Sequence, residues 1–239
     1  MFTRTEAIVL SSLRYNESDL IVKCYTKSQG ILSFIVKGVL KSKRGKFKAS
    51  FFQVFSILDI QCNIKSKQQL NYFKDVQLSQ HLINIQSNVY KATLAMFLSE
   101  VIKSVIYEEE RNEELFDFIR MAILWLEDAS QFSNYHIAFL VKLTSFIGFY
   151  PHLKNETHET YFNLRDGRFL PYEDKYCLND NFSSILKDLM RLEWDDFQSI
   201  RIAHIQRLKM IEHLLYYYEI HIENFKTPKS LEVLKRIFK

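Results

Sequence analysis

Leu20-Ile21-Val22-Lys23-Cys24-Tyr25-Thr26 and Gly30-Ile31-Leu32-Ser33-Phe34-Ile35-Val36 decide how this chain begins. Both runs are rich in β-branched and aromatic residues, and Ser28-Gln29-Gly30 between them is turn chemistry, so they predict two paired strands. The same signature continues on either side, in Ala7-Ile8-Val9-Leu10, Phe51 to Leu58 and Leu70 to Val76. Turn-type residues punctuate the series at Tyr15-Asn16-Glu17-Ser18-Asp19 and from Ser42 to Gly45. Five short strands in about 80 residues predict a small all-β barrel, and a long basic loop after the third suits an OB-like barrel.

Beyond residue 80 the hydrophobic period lengthens to that of a helix. Ala92, Ala95, Met96, Ser99, Ile102 and Ile106 recur at spacings of three and four, as do Phe116, Ile119, Ile123 and Leu126, then Phe139, Leu143, Phe146 and Ile147. Ile202, Ile205, Leu208, Ile211, Leu215, Tyr218 and Ile222 predict one long helix, and Tyr216-Tyr217-Tyr218 must turn one or two rings into its bundle. Thr227-Pro228 reads as an N-cap and first position for a last helix through Leu231, Leu234 and Phe238. The stretch 151–180 is irregular. The expected architecture is an α+β multidomain chain, with a five-stranded OB-fold barrel over 1–80 and an α-helical domain over 81–239. That second domain carries a loop-rich insertion at about 151–180.

Composition narrows the function classes. The chain has 239 residues, 47% of them apolar, with 20 Phe and 13 Tyr. A chain of that size and apolarity can bury a large core, which excludes a disordered protein. It has only 5 Gly and lacks both GxGxxG and GxxxxGK[ST], so phosphate-binding loops of those types are absent. The cysteines Cys24, Cys62 and Cys177 are odd in number and far apart, which fits a reducing cytoplasm better than a disulfide framework. The start, Met1-Phe2-Thr3-Arg4-Thr5-Glu6, lacks the features of a signal peptide, and no run approaches the ~18 apolar residues of a membrane span.

Charge is asymmetric. Residues 1–80 carry 13 Lys+Arg against 5 Asp+Glu, a net of +8, whereas 81–239 carry 19 against 23, a net of −4. A basic first third points to a polyanion partner. The charge concentrates in Lys37-Gly38-Val39-Leu40-Lys41-Ser42-Lys43-Arg44-Gly45-Lys46-Phe47-Lys48, where five of the eight residues from 41 to 48 are basic and none is acidic. Such a loop beside a barrel groove can track phosphates. Five contacts to a single strand give a salt slope of about −3.5, which weakens affinity on the order of 100-fold between 50 and 200 mM salt. Tyr25, Phe34, Phe47, Phe52 and Tyr72 are near enough in sequence to stack bases, although most alternate toward the barrel core.

Signals for catalysis or metal are poor. Cys24 and Cys62 fall in strand patterns and read as small core hydrophobes. His152, His158 and Cys177 lack the tight Cys/His pairs that a structural zinc needs. Glu108-Glu109-Glu110 with Glu113-Glu114 reads as a solvated helix end and the next helix start. His204, Glu212 and His213 lie at helical spacing and read as surface or core groups. No catalytic residue, metal or cofactor is expected.

Several of these residues together resemble the RecO family of bacterial recombination mediators, over nearly the whole length. The resemblance rests on Ala7 to Leu10, on Glu17-Ser18-Asp19 before Leu20-Ile21-Val22, on Thr26 with Gly30, and on Lys37-Gly38 leading into the basic loop. It continues with Gly148-Phe149-Tyr150-Pro151-His152-Leu153, with Tyr217-Tyr218-x2-His221, and with Lys229 to Leu234. It implies an OB barrel on a helical domain, no enzymatic turnover, and binding of single- and double-stranded DNA with annealing of complementary strands. The implied partners are RecR, the acidic C-terminal tail of single-strand-binding protein and, indirectly, RecA. The DNA-contact role falls on Lys37, Lys41, Lys43, Arg44, Lys46 and Lys48; Leu40 departs from the basic residue that many relatives have. Many relatives also place two Cys-x-x-Cys pairs after the Gly-Phe-x-Pro segment, whereas here Lys154 to Glu159 follows and only Cys177 remains. The insertion is then expected to hold together by Tyr161, Phe162, Leu164 and Phe169 around an Arg165-Asp166-Gly167 turn. Lys142, Arg201, Arg207 and Lys209 are candidates for an acidic tail. The rival expectation is a generic OB-fold module that binds RNA or protein and does not anneal strands.

Overall fold

Alternation of apolar and polar residues commits the first 80 residues to strands. The computed structural model describes residues 2–41, 46–64, 69–106, 111–153 and 159–238. Strand β1 (Phe2–Arg14) is the centre of the sheet, followed by β2 (Leu20–Thr26), β3 (Gly30–Val36), β4 (Ile57–Asn63) and β5 (Tyr72–Leu78). The order is β3-β2-β1-β4-β5, and all four neighbouring pairs are antiparallel. β1 is long because it serves two partners: Phe2 to Ile8 pair with β4, and Ala7 to Arg14 pair with β2 across a register shift between Val9 and Ser11. Such a shift bends a strand. The bend brings the edges β3 and β5 together at one parallel bridge, Phe34 to Asn71. There Ile35 N donates to Asn71 O at 3.0 Å, and Asn71 N donates to Ser33 O at 2.8 Å. The sheet is OB-like, but this seam is too short to close it with a continuous ladder.

Three sequence boundaries move. The first strand runs well beyond Ala7 to Leu10, and the fifth is Tyr72–Leu78, not Leu70 to Val76. The fourth is Ile57–Asn63, not Phe51 to Leu58: Ala49–Phe52 forms a 3₁₀ turn, and Phe55 adopts a φ of 69°. Phe52 and Phe55 are buried side chains of an irregular segment. The true strand is written in Leu58, Ile60 and Cys62, which face inward between Asp59 and Gln61.

The interior of the barrel is Ala7, Val9, Val22, Cys24, Leu32, Phe34, Phe52, Leu58, Ile60, Cys62 and Val76. Cys24 and Cys62 are fully buried, and desolvation pushes the Cys62 thiol up to about 11, so both behave as small apolar groups. The opposite face carries Ile8, Tyr25 and Ile57. It is covered by α2 (Val89–Val105) and α3 (Glu113–Asp128), after the short α1 (Ile83–Ser87). Tyr25 Oη donates to Asn112 O at 2.9 Å, and its ring lies 5.7 Å from that of Phe116. Lys27 pairs with Asp117 at 2.7 Å. Glu127, nearly buried, accepts from the backbone N–H groups of Asn84 and Ile85, both at 2.8 Å, and so satisfies the first turn of α1. The predicted stripe of α2 is buried at Ala95, Ser99 and Ile102, whereas Ala92 and Met96 are exposed, and the buried face also takes in Leu94, Leu98, Val101 and Val105.

Contacts divide the chain into two units, 1–128 and 129–239, while strands give way to helices between Leu78 and Ile83. In the second unit α4 (Tyr135–Phe146) is almost wholly buried. A hairpin of β6 (Tyr161–Asn163) and β7 (Arg168–Leu170) follows, then α5 (Asp180–Arg191), α6 (His204–His221) and α7 (Leu231–Ile237). The insertion is thus more regular than its sequence suggests. Phe162, Leu164 and Phe169 are buried, and Asn163 Oδ1 accepts from Arg165 N and Asp166 N at 2.9 Å to shape the turn. Gly167 closes it with a φ of +66°, and a Cβ there would meet Tyr217 Oη at 2.9 Å. Phe149 lies 5.3 Å from Tyr217, 5.2 Å from Tyr218 and 5.3 Å from His221, so the Gly-Phe-x-Pro segment and the Tyr-Tyr-x2-His segment pack on each other. Tyr218 Oη donates to Leu140 O at 2.7 Å, and Tyr216 stays outside. Ile205, placed on the long stripe by its spacing, is 68% exposed in the first turn of α6. The N-cap position of the last helix is Ser230 rather than Thr227, whose hydroxyl instead donates to Glu219 Oε1 at 2.5 Å.

Candidate nucleic-acid interface

The basic loop is tied down at its start by an acidic turn. Asp19 Oδ1 accepts from Gly38 N at 2.8 Å and from Ser18 Oγ at 2.7 Å, while its Oδ2 accepts from Asn16 Nδ2 at 2.9 Å. Leu40 N donates to Ser18 O at 2.9 Å, and Lys41 Nζ pairs with Glu17 at 3.0 Å. Glu17-Ser18-Asp19 and Lys37-Gly38, separate motifs in the sequence, are therefore one device. Gly38 has a φ of +70°, the left-handed region that glycine enters without strain. The Gly38 N–H, then Ser18 and Asn16, hold the Asp19 carboxyl below the usual aspartate range. With a lowered folded pKa, its stabilisation is full above the unfolded value of about 3.9 and lost as pH falls through the folded value. The Gly38 amide resonance should then titrate with a midpoint below about 3.9 in the wild type and lose that inflection in Asp19→Ala. An NMR pH titration checks this, and a midpoint at or above the free value would contradict the anchor.

Of the six predicted contact residues, Lys43 and Arg44 lie outside the described residues. The other four, Lys37, Lys41, Lys46 and Lys48, are all exposed. Lys37 and Lys46 line a groove of about 250 Å³ with Ile35, Val36, Phe47, Tyr72 and Phe73. This groove sits at the seam where β3 and β5 meet. Phe73, which lines it, belongs to an aromatic stack that continues into the core: Phe34 and Phe73 are 4.0 Å apart and nearly parallel, and Phe52 lies 5.6 Å from Phe73. Lys46 Nζ donates to Lys74 O and lies 5.2 Å from the Phe47 ring. Lys37 Nζ lies 5.5 Å from the Tyr72 ring.

The five candidate aromatics separate cleanly. Tyr25, Phe34 and Phe52 are core, Phe47 is half-buried, and Tyr72 is 45% exposed. The cause is a bulge opposite Gln61 and Cys62: Val76 pairs with Ile60 but Phe73 pairs with Cys62. Three residues on β5 thus match two on β4. Phe73 turns inward and Tyr72 outward, reversing the face that strict alternation from Val76 assigns.

Among the described residues, the other candidates stand apart from one another. His204 and His213 are nine residues apart on α6, which places them on opposite sides of a helix. Glu212 pairs with Lys235 at 2.7 Å, and the His213 ring packs 4.8 Å from Phe182. Among the described residues, no three His, Cys, Asp or Glu side chains come together as a metal site. Cys177 is the only thiol of the second unit, its Sγ faces Tyr172 O at 4.0 Å, and burial raises its pKa. The described residues therefore do not fit a zinc. His158 and Glu108 to Glu110 lie outside the described residues. Arg201 and Arg207 line a polar cleft of about 500 Å³ with Asn134 and Gln198, whereas Lys142 and Lys209 stand apart from it. No helix among the described residues is long and apolar enough to cross a membrane.

Comparison with known proteins adds to this geometry. Residues 1–82 match the family model described as Recombination protein O N terminal, and 86–231 match Recombination protein O C terminal. A protein of Christiangramia forsetii is 38% identical over 239 residues, and one of Flavobacterium psychrophilum is 36% identical over 238. A Bacteroides fragilis protein is 30% identical over 243. Each match covers 100% of both chains, and all three carry the name DNA repair protein RecO.

Proposed function

This chain belongs to the RecO family of DNA repair proteins, and on that premise we propose that it is a non-catalytic, DNA-binding recombination mediator. It binds single- and double-stranded DNA through the basic end of its barrel and anneals complementary strands. With RecR it assists loading of RecA on DNA coated by single-strand-binding protein, in the cytoplasm. The observation that carries this reading is the placing of Lys37 and Lys46 on an aromatic groove, with Lys41 and Lys48 exposed nearby in sequence, in a region with net charge +8.

The mechanism is electrostatic. Two complementary strands repel through their phosphates, and cations that replace the counterions of both lower that repulsion while leaving base edges free. Strand pairing then needs no catalytic group. The helical unit supplies partner contacts: Arg201 and Arg207, the latter partly desolvated, are suited to an acidic peptide tail.

Annealing of complementary oligonucleotides measured against salt tests the proposal. The wild type should accelerate annealing at 50 mM salt, and the acceleration should fall steeply by about 200 mM. Binding without acceleration would favour the generic OB-fold module. No binding at low salt would remove the DNA reading from the barrel.

A further inference from the structure

We infer that the seam groove captures one unpaired base, which stacks on Tyr72 while Lys37 and Lys46 hold the flanking phosphates. Tyr72 is thereby the residue that distinguishes single-stranded from double-stranded DNA. This rests on the DNA-binding reading above and deepens it by assigning selectivity to a residue outside the basic loop.

Three observations support it. First, the bulge in β5 presents the Tyr72 ring outward at the rim of the groove instead of into the core. An exposed ring beside cations is the platform on which bases stack irrespective of sequence. Second, the groove has the right size and lining. An engineered apolar cavity of about 150 Å³ accepts benzene, and the roughly 250 Å³ here is lined by Phe47, Phe73, Ile35 and Val36. It holds one ring system. A base inside a duplex is already stacked and paired, so it is not presented to the pocket.

Third, two cations share the groove with the ring. Lys37 Nζ is 5.5 Å from Tyr72, and Lys46 is fixed by its bond to Lys74 O, the carbonyl of the bulge itself. The bulge that exposes Tyr72 thus also positions a lysine. Lys37 and Lys46 can meet the phosphates before and after the captured base, and its ring fills the space between them. The pocket contacts ring faces and leaves neighbouring bases outside, so a strand held here by one base keeps the rest of its sequence available for pairing.

Anisotropy with a fluorescein-labelled oligothymidine of about 15 nucleotides, and with a duplex of the same length, tests this. Tyr72→Ala should weaken single-strand binding on the order of 10-fold and duplex binding less than about twofold, and Tyr72→Phe should retain wild-type affinity for both. The salt slope should not change in Tyr72→Ala, because stacking releases no counterions, whereas Lys37→Ala should reduce it by about 0.7. As a second measurement, an oligonucleotide carrying 5-iododeoxyuridine should photocrosslink to the wild type at Tyr72 or Phe47. If Tyr72→Ala weakens both DNAs equally or neither, or if crosslinks map elsewhere, the base pocket is overturned and the DNA-binding reading stands. If the wild type binds neither DNA, both fall.

Discussion

A chain carrying Lys37→Glu, Lys46→Glu and Lys48→Glu should lose single-strand affinity on the order of 500-fold at 50 mM salt. Each phosphate contact on a single strand contributes about 0.7 to the salt slope, which at 50 mM relative to 1 M is about 8-fold in affinity. Removing three lowers the slope by about 2 and the affinity by the product, and reversing their sign deepens the loss. Annealing should fall in parallel, because the same cations neutralise both strands. Folding should be spared: all three side chains are exposed, and none contributes an apolar body to the barrel interior. The measurement is anisotropy against salt, with thermal melting as control. Unchanged affinity with an unchanged melt would move the phosphate contacts to another surface of the molecule. The variant differs from Tyr72→Ala in kind. Charge reversal should weaken single strands and duplexes together, whereas loss of the ring should weaken single strands alone.

What the sequence revealed follows from what is local. Strands β2 and β3 were legible because each run is bounded by turn residues and pairs with its neighbour in sequence. The basic loop was legible because charge density needs no fold to be seen. β4 was misplaced because the aromatic run Phe51 to Phe55 outweighed the quieter alternation of Leu58, Ile60 and Cys62; burial, not strand geometry, explains those rings. Asp19 as an anchor for Gly38 was invisible, since the contact spans 19 residues and neither residue is unusual alone. Tyr72 could not be told from a core aromatic for a sharper reason. A single bulge reverses which face each residue occupies, and nothing in Tyr72-Phe73-Lys74-Asp75 marks where the extra residue falls. The packing of Phe149 against Tyr217 and His221 is of the same class: two motifs some 70 residues apart, each weak alone, are one cluster in space.

Phe34→Ala should destabilise the chain by about 3–5 kcal/mol, a large share of the 5–15 kcal/mol that holds an ordinary domain together. Phe34 is fully buried, and its ring stacks 4.0 Å from Phe73, which in turn stacks on Phe52. Truncation removes the apolar surface of a large ring and leaves a cavity that the sheet cannot close, because β3 is paired along its whole length with β2. Phe34 also forms the parallel bridge to Asn71, the place where the two sheet edges meet, so the cavity opens under the seam. Phe73 would then be free to tilt, and with it the adjoining Tyr72. The expected result in urea is a lower midpoint with little change in slope for the transition that includes the barrel. Phe34→Leu, which keeps most of the volume, should cost less than about 2 kcal/mol. At a denaturant concentration where Phe34→Ala is still folded, its single-strand affinity should drop toward that of Tyr72→Ala while its duplex affinity holds, because the groove is built on the Phe34–Phe73 stack but the lysines are not. A variant that is destabilised by the expected amount yet keeps full single-strand selectivity would separate the core from the pocket and show that Tyr72 is positioned by the β5 bulge alone.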